Sequence, residues 1–527
     1  MDQASAYRHR QSFRRLQWKR DFAIRQVTLY HGQDNRLKCP PGGSMVEEFL
    51  TCYSPDFIPP RRYELLRRFL ERTGARSFPE AIRSFPADKR ILAMIDDRCD
   101  PCVSVSLPSG ARFLPLRQWE SDSYMQRPPE GLHIHVYGAD AETLHVNLQK
   151  DRKGVAERRI VYIVNLTPLM ALALISGVAY FHLPELRSFL ARHVAFETYM
   201  GISQDRGFVL QFHLPYYALR PDQPDLRDSR GLRKHRYFRP PGEEKQDRIY
   251  EAQVSLVVFG VDDFFWAAYF CEDTYFSDQD LVATCLQDEV DGPSLGRRMH
   301  KFPIWDPRYY FLSILATRTG QITLEWTVLV QSLENVLDRH GEIDQENLNT
   351  FLEHDPTLKK TKEYTWILCI LRRLRNGLAQ AIAALIAFDN NNTVYFDLDA
   401  DGHLQDKFRE CFSHVRQHTA ELEALRMILE QRIEIMEKMS GVLVNASSLA
   451  ESITATRQGD NIRLLTYITI VRIAPPRPHA PFSGVNKMAT ELKLLPDLST
   501  CDSCDGLPTL LPSSLESRNT NNILGRI

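Results

Sequence analysis

The chain has 527 residues, 65 Lys+Arg against 67 Asp+Glu, 43% hydrophobic and 25% charged residues. That length suits about two to four domains, and the composition excludes a fully disordered chain. A mean hydropathy of −0.33 and the lack of any clean apolar run of about 20 residues exclude a compact multi-span membrane protein, while near-neutral charge argues against a general nucleic-acid binder.

Residues 1–60 read as a basic, loosely ordered leader without the apolar segment of a secretory signal. Its Arg-rich start also fits a mitochondrial presequence, but a basic arm is the simpler reading. Ten cysteines are too sparse for a disulfide scaffold and point to a reducing compartment. Arg61–Arg72 (RRYELLRRFLER) spaces Leu65, Leu66, Phe69 and Leu70 as a helix does. Strand-like runs follow at Leu132–Tyr137, Arg159–Val164, Phe208–Phe212, Ala252–Phe259 and Trp266–Phe270. Between them, Leu183–His193 opens on Pro184 as a helix would. The apolar stretch Ile160–His182 is broken by Asn165, Thr167, Pro168, Ser176 and Gly177. It reads as a buried strand ending at Val164, then a helix opening at Thr167-Pro168, and not as a membrane span. Residues 221–247, charged and rich in Pro and Gly, read as a mobile insertion.

Helical spacing then dominates in Tyr309–Arg318, Thr323–His340 and Glu363–Phe388. The expected fold class is α/β, a mixed sheet with flanking helices over 61–400, followed by a long stalk or coiled-coil helix over 401–471. In that helix Phe408, Val415, Leu422, Leu429, Met436 and Leu443 recur every seven residues. Leu425, Met439, Ala446 and Ile453 fill the companion positions, and Arg432 interrupts them. Residues 405–471 as one helix would be about 100 Å long. Such a helix demands partner helices, from this chain or from an oligomer. From 472 to 527 a Pro/Ser-rich composition predicts disorder.

Chemical motifs are sparse. Gly292-Pro293-Ser294-Leu295-Gly296 matches a nucleophile elbow, but the acidic LQDEVD before it is no strand, so a surface turn is expected. Cys99 and Cys102 with His133 and His135 offer Cys2His2 zinc ligands at a spacing unlike a compact finger. Cys501 and Cys504 lack further ligands nearby. Aspartates 262, 263, 273, 278 and 280 read as a solvated acidic stretch. No P-loop, dinucleotide fingerprint or zincin motif occurs, so no enzyme and no resident cofactor is expected.

Several strings carry a family resemblance: Phe212–Arg220 (FHLPYYALR), Tyr250–Leu256 (YEAQVSL), Gly260-Val261-Asp262-Asp263 with Trp266, Asp273–Phe276 (DTYF), Asp306–Leu312 (DPRYYFL), Glu325-Trp326 and Arg457–Ile470 (RQGDNIRLLTYITI). Through them the chain resembles fungal CorA-like metal-ion transporter proteins, over roughly residues 90–471. The resemblance implies a cytoplasmic α/β domain, a stalk helix, two membrane helices, a Gly-Met-Asn pore signature, a pentameric homo-oligomer and Mg²⁺ as transported ion. Mg²⁺ is a hard cation held by oxygen ligands and its own waters. The sequence departs from that pattern after Val471, where Arg472 and Pro475, Pro476, Pro478 and Pro481 follow. Gly484-Val485-Asn486 is at best a degenerate signature, with Val for Met. The 12 residues between Val471 and Gly484 are too few for a span of about 20. The expectation is a truncated, non-conducting cytoplasmic domain plus stalk, membrane-associated by family but itself cytoplasmic. It would partner with itself or with a full-length paralogue. The alternative is a soluble coiled-coil interaction protein.

Overall fold

The computed structural model describes residues 17–24, 37, 43–52, 60–74, 77–84, 90–99, 133–150, 157–179, 182–204, 207–221, 226–238, 247–277, 279–341, 359–396 and 402–473. It divides into two units, Met1–Ala450 and Glu451–Ile527.

The first unit is built on one eight-stranded sheet. Its strands are β1 (Ala93–Cys99), β2 (His133–Ala139), β3 (Arg158–Val164), β4 (Tyr199–Ser203), β5 (Phe208–Arg220), β6 (His235–Tyr237), β7 (Arg248–Gly260) and β8 (Trp266–Glu272). The order is β2-β1-β3-β8-β7-β5-β4, with β6 also paired to β7. Only β3 and β8 run parallel; the other described pairs are antiparallel.

Helices cover both faces, which is why the central strands are continuous apolar runs and not alternating ones. Ile160, Tyr162 and Val164 of β3 and Trp266, Ala268 and Phe270 of β8 share one core with three long helices: α8 (Pro307–Gly341), α9 (Lys359–Asn392) and α10 (Gly402–Ile473). Val161, Ile163, Ala267, Tyr269 and Cys271 belong to the opposite core. That core is closed by α1 (Met45–Thr51), α2 (Pro60–Glu71), α3 (Phe78–Ser84), α4 (Ala141–Gln149), α5 (Pro168–Gly177) and α6 (Leu183–Val194). A short α7 (Leu281–Gln287) leads towards α8. The expected mixed α/β sheet with flanking helices and a long C-terminal helix is what the structure has.

Ile160–His182 divides as its sequence suggests. β3 ends at Val164, and Thr167 caps α5 by accepting a hydrogen bond from the Met170 amide, with Pro168 in the first turn. Two expectations need correction. The leader is not uniformly loose: Trp18 and Phe22 join the helical-side core, and α1 inserts Phe49 and Leu50 into the other. The described part of the 221–247 insertion, residues 226–238, is pinned. Arg230 and Arg233 are buried there, and β6 is hydrogen-bonded to β7. Composition registered their charge but not the buried partner that neutralises it.

Candidate functional site

The long helix is the feature the sequence singled out. Phe408, Val415, Leu422, Leu429, Met436 and Leu443 are all buried, in the same core as the inner faces of α8 and α9. Phe408 and Phe412 meet Phe396 edge to face, each at 5.3 Å. Ion pairs run along the seam: Arg416 to Asp389 at 2.8 Å, Arg375 to Glu430 at 3.8 Å and Arg372 to Glu437 at 2.7 Å. Numbers rise along α10 as they fall along α9, so these two helices are antiparallel. Arg432, the break in the heptad pattern, reaches Glu334 (3.1 Å) and Asp338 (3.0 Å) of α8. The partner helices that the heptads demand are therefore α8 and α9 of this chain. The six residues, which the heptad repeat marks as an oligomerisation stalk, are packed in this chain's own core. Exposed apolar side chains on the same helix in this unit are Met427, Ile435, Val442, Val444 and Leu449.

In the second unit, residues 451–470 are all exposed. Ile462, Leu464, Leu465, Tyr467, Ile468 and Ile470 present a nearly all-round apolar segment. Among the described residues no helix is long and apolar enough to cross a membrane. Gly484, Val485 and Asn486 lie outside the described residues, as do Cys501 and Cys504.

The other candidates resolve less favourably. Cys102 lies outside the described residues, and so do the side chains of Cys99 and His133; backbone pairing sets Cys99 opposite His133 and Asp97 opposite His135. Among the described residues no group of three His, Cys, Asp or Glu side chains is arranged to hold a metal ion. Ser294 sits in a turn, as expected, but is buried. Its hydroxyl donates to the Asp291 carbonyl at 2.8 Å, and Leu295 behind it has φ +56°. The turn is gripped by Arg318, which donates to the carbonyls of Gly292 (2.8 Å) and Pro293 (2.7 Å). Gly292 is needed there, because a Cβ would lie 2.5 Å from the Tyr162 ring. The acidic stretch is dispersed. Asp262 caps a turn through the amides of Phe264 and Phe265, Asp263 accepts from the Trp18 indole, and Asp280 caps α7.

What sequence reasoning missed is a set of buried ion pairs. Asp273 accepts from Arg230 at 2.8 Å and Arg233 at 2.6 Å. Burial opposes its ionisation, but the two guanidiniums hold its carboxyl well below the usual range. Next to it, His193 is driven down to about 3 by burial, and His213 well below its ordinary value for the same reason. Both rings contact the Ser255 hydroxyl, at 2.9 and 2.8 Å. On β1, Asp97 takes a two-point bond from Arg159, 2.7 Å on each arm, and Asp96 bonds both Arg98 and Arg158. These carboxylates are engaged by guanidiniums, which leaves them no role as cation ligands. The only prior signal was the complementary pattern of Asp96-Asp97 and Arg158-Arg159 on strands not yet known to pair.

No protein-family model and no curated protein sequence matches the chain. Solved structures do align with it: full-length CmaX (13% identity, 77% of this chain and 96% of that one, TM-score 0.34), the CorA magnesium transporter of Methanocaldococcus jannaschii (9%, 78% and 89%, TM-score 0.33) and the ZntB cytoplasmic domain of Vibrio parahaemolyticus (11%, 55% and 92%, TM-score 0.29). Overlaps at these scores carry no functional inference.

Proposed function

We propose that the chain is the cytoplasmic α/β domain and stalk of a CorA-like divalent-cation (Mg²⁺) transport protein, and that it does not conduct ions by itself. One observation carries this reading. A single helix is anchored to the sheet domain along its heptad face and ends in exposed apolar residues, in the segment Arg457–Ile470 where the family resemblance is most specific. An apolar surface without a partner is unfavourable in water and marks a contact with lipid or protein. Mg²⁺, a hard cation, would take oxygen ligands. Assembly as a homo-oligomer, a pentamer by the resemblance, would proceed through exposed positions and not through the buried heptads.

A second reading, a soluble oligomeric interaction protein, is favoured by the exposed Met427, Val442 and Leu449. Two measurements on the purified chain separate the readings. Reconstituted into liposomes, it should give Mg²⁺ flux no greater than protein-free vesicles; flux above that background overturns the non-conducting assignment. Flotation with vesicles, lost in Leu465→Glu, supports the stalk. An oligomer by light scattering that never floats supports the soluble reading instead.

A further inference from the structure

A groove of about 760 Å³ runs between the outer face of α9 and the sheet edge at β6. That volume is typical of small-molecule sites, which fall at roughly 300–1,000 Å³. Its wall carries Arg372, Arg373 and Asn376 from α9, Arg236 and Tyr237 from β6, and Trp366 one turn back on α9. Among the described residues no carboxylate lines it.

The charge is only partly spoken for. Arg372 pairs with Glu437, an exposed contact that a ligand can displace at little cost because such pairs are worth about 1 kcal/mol or less. Arg373 is exposed and lines the groove beside Tyr217. Arg236 is exposed. Three arginines thus line one concavity, and a guanidinium's planar fork suits two-point bonds to phosphate oxygens. Tyr237, with Arg248 over one face of its ring at 5.6 Å, and Trp366, half-buried against the helical-side core, add aromatic surface beside them, and Asn376 offers an amide that both donates and accepts. Gly377 lets α9 pass close over Tyr217, since a Cβ there would lie 3.1 Å from the Tyr217 ring.

We propose that this groove binds an organic phosphate carrying a flat ring, of the nucleoside diphosphate class: the phosphates on Arg236 and Arg373, the ring against Trp366 or Tyr237. The inference is independent of the transport reading, because it uses no stalk residue.

The test is titration calorimetry of the full chain with ADP, adenosine and inorganic phosphate, in EDTA to remove metal bridging. ADP should bind, with adenosine and phosphate each at least about tenfold weaker. Arg236→Glu and Arg373→Glu should each weaken ADP about tenfold or more, and Arg236→Gln by less. Both arginines are exposed, so unchanged thermal midpoints confirm that the variants fold. No ADP binding at millimolar concentration, binding unaltered in Arg236→Glu, or phosphate alone matching ADP would each overturn the proposal.

Discussion

Arg318 of α8 and Glu272 at the end of β8 form a two-point salt bridge, 2.7 and 3.0 Å, with both side chains buried. The Tyr162 hydroxyl donates to the same carboxylate at 3.0 Å, and Arg318 also holds the 292–296 turn. One guanidinium thus ties a long helix, the sheet and a connecting turn together. Removing one partner of such a pair strands the other charge, at about 3–5 kcal/mol. Glu272→Gln should therefore lower the urea unfolding free energy by about that amount. The double variant Glu272→Gln with Arg318→Met should recover part of it, and a cycle showing simple additivity would contradict the coupling.

The heptad residues yield a prediction about concentration. Leu422 and Leu429 are fully buried within this chain, so Leu422→Ala and Leu429→Ala should each cost about 2–5 kcal/mol. Because the seam is intramolecular, that loss should not change with protein concentration. A midpoint that rises with concentration in wild type and not in the variants would place these leucines between subunits.

Leu465 is 62% exposed and Ile462 63%. Leu465→Glu and Ile462→Glu should leave the domain's thermal midpoint within error while reducing the oligomer seen by light scattering. A stability loss comparable to that of Leu422→Ala would show that these residues are buried after all.

A pH effect attaches to Asp263, whose carboxyl is pushed up to about 7 by burial, against the opposing pull of Arg308. The folded state then holds a proton that the unfolded chain releases near pH 4, so this group's contribution to stability falls as pH rises from about 4 to 7. Asp263→Asn keeps an acceptor for the Trp18 indole, which donates at 3.1 Å. Its stability relative to wild type should improve across that window, by an amount on the order of 4 kcal/mol, and stay level above it. A difference that is flat from pH 4 to 8, measured by urea unfolding, would contradict the raised value.

Elements whose side chains face oil on every side were legible in the sequence. β3, β7 and β8 announce themselves as β-branched and aromatic runs, and the long helix as a seven-residue repeat. β1 did not, because Asp96, Asp97 and Arg98 look like surface residues until Arg158 and Arg159 of β3 neutralise them. Residues 226–238 misled for the same reason: Arg230 and Arg233 are neutralised by Asp273, about forty residues on, with Asp228 bonded to Arg230. Pairing across such distances is a property of the sheet order, and local composition has no access to it. The repeat in α10 specified that partners exist but not whose they are. The Arg236–Arg373 groove left no trace at all, since its wall joins a short edge strand to one face of a distant helix.

Arg432 wedged between Glu334 and Asp338 has a mechanical meaning. An apolar ridge seated in two helices resists turning, since a step of one residue would swing the ridge by about 100° and drive charged neighbours into the core. A charged key between two acids also resists axial sliding, because a shift of one turn, about 5.4 Å, would unseat it. The gripped part of α10 thus has neither free rotation nor free translation. Torque or thrust applied to it passes into α8, and from Arg318 through Glu272 into the edge of β8, so the helix acts as a keyed shaft coupled to the sheet.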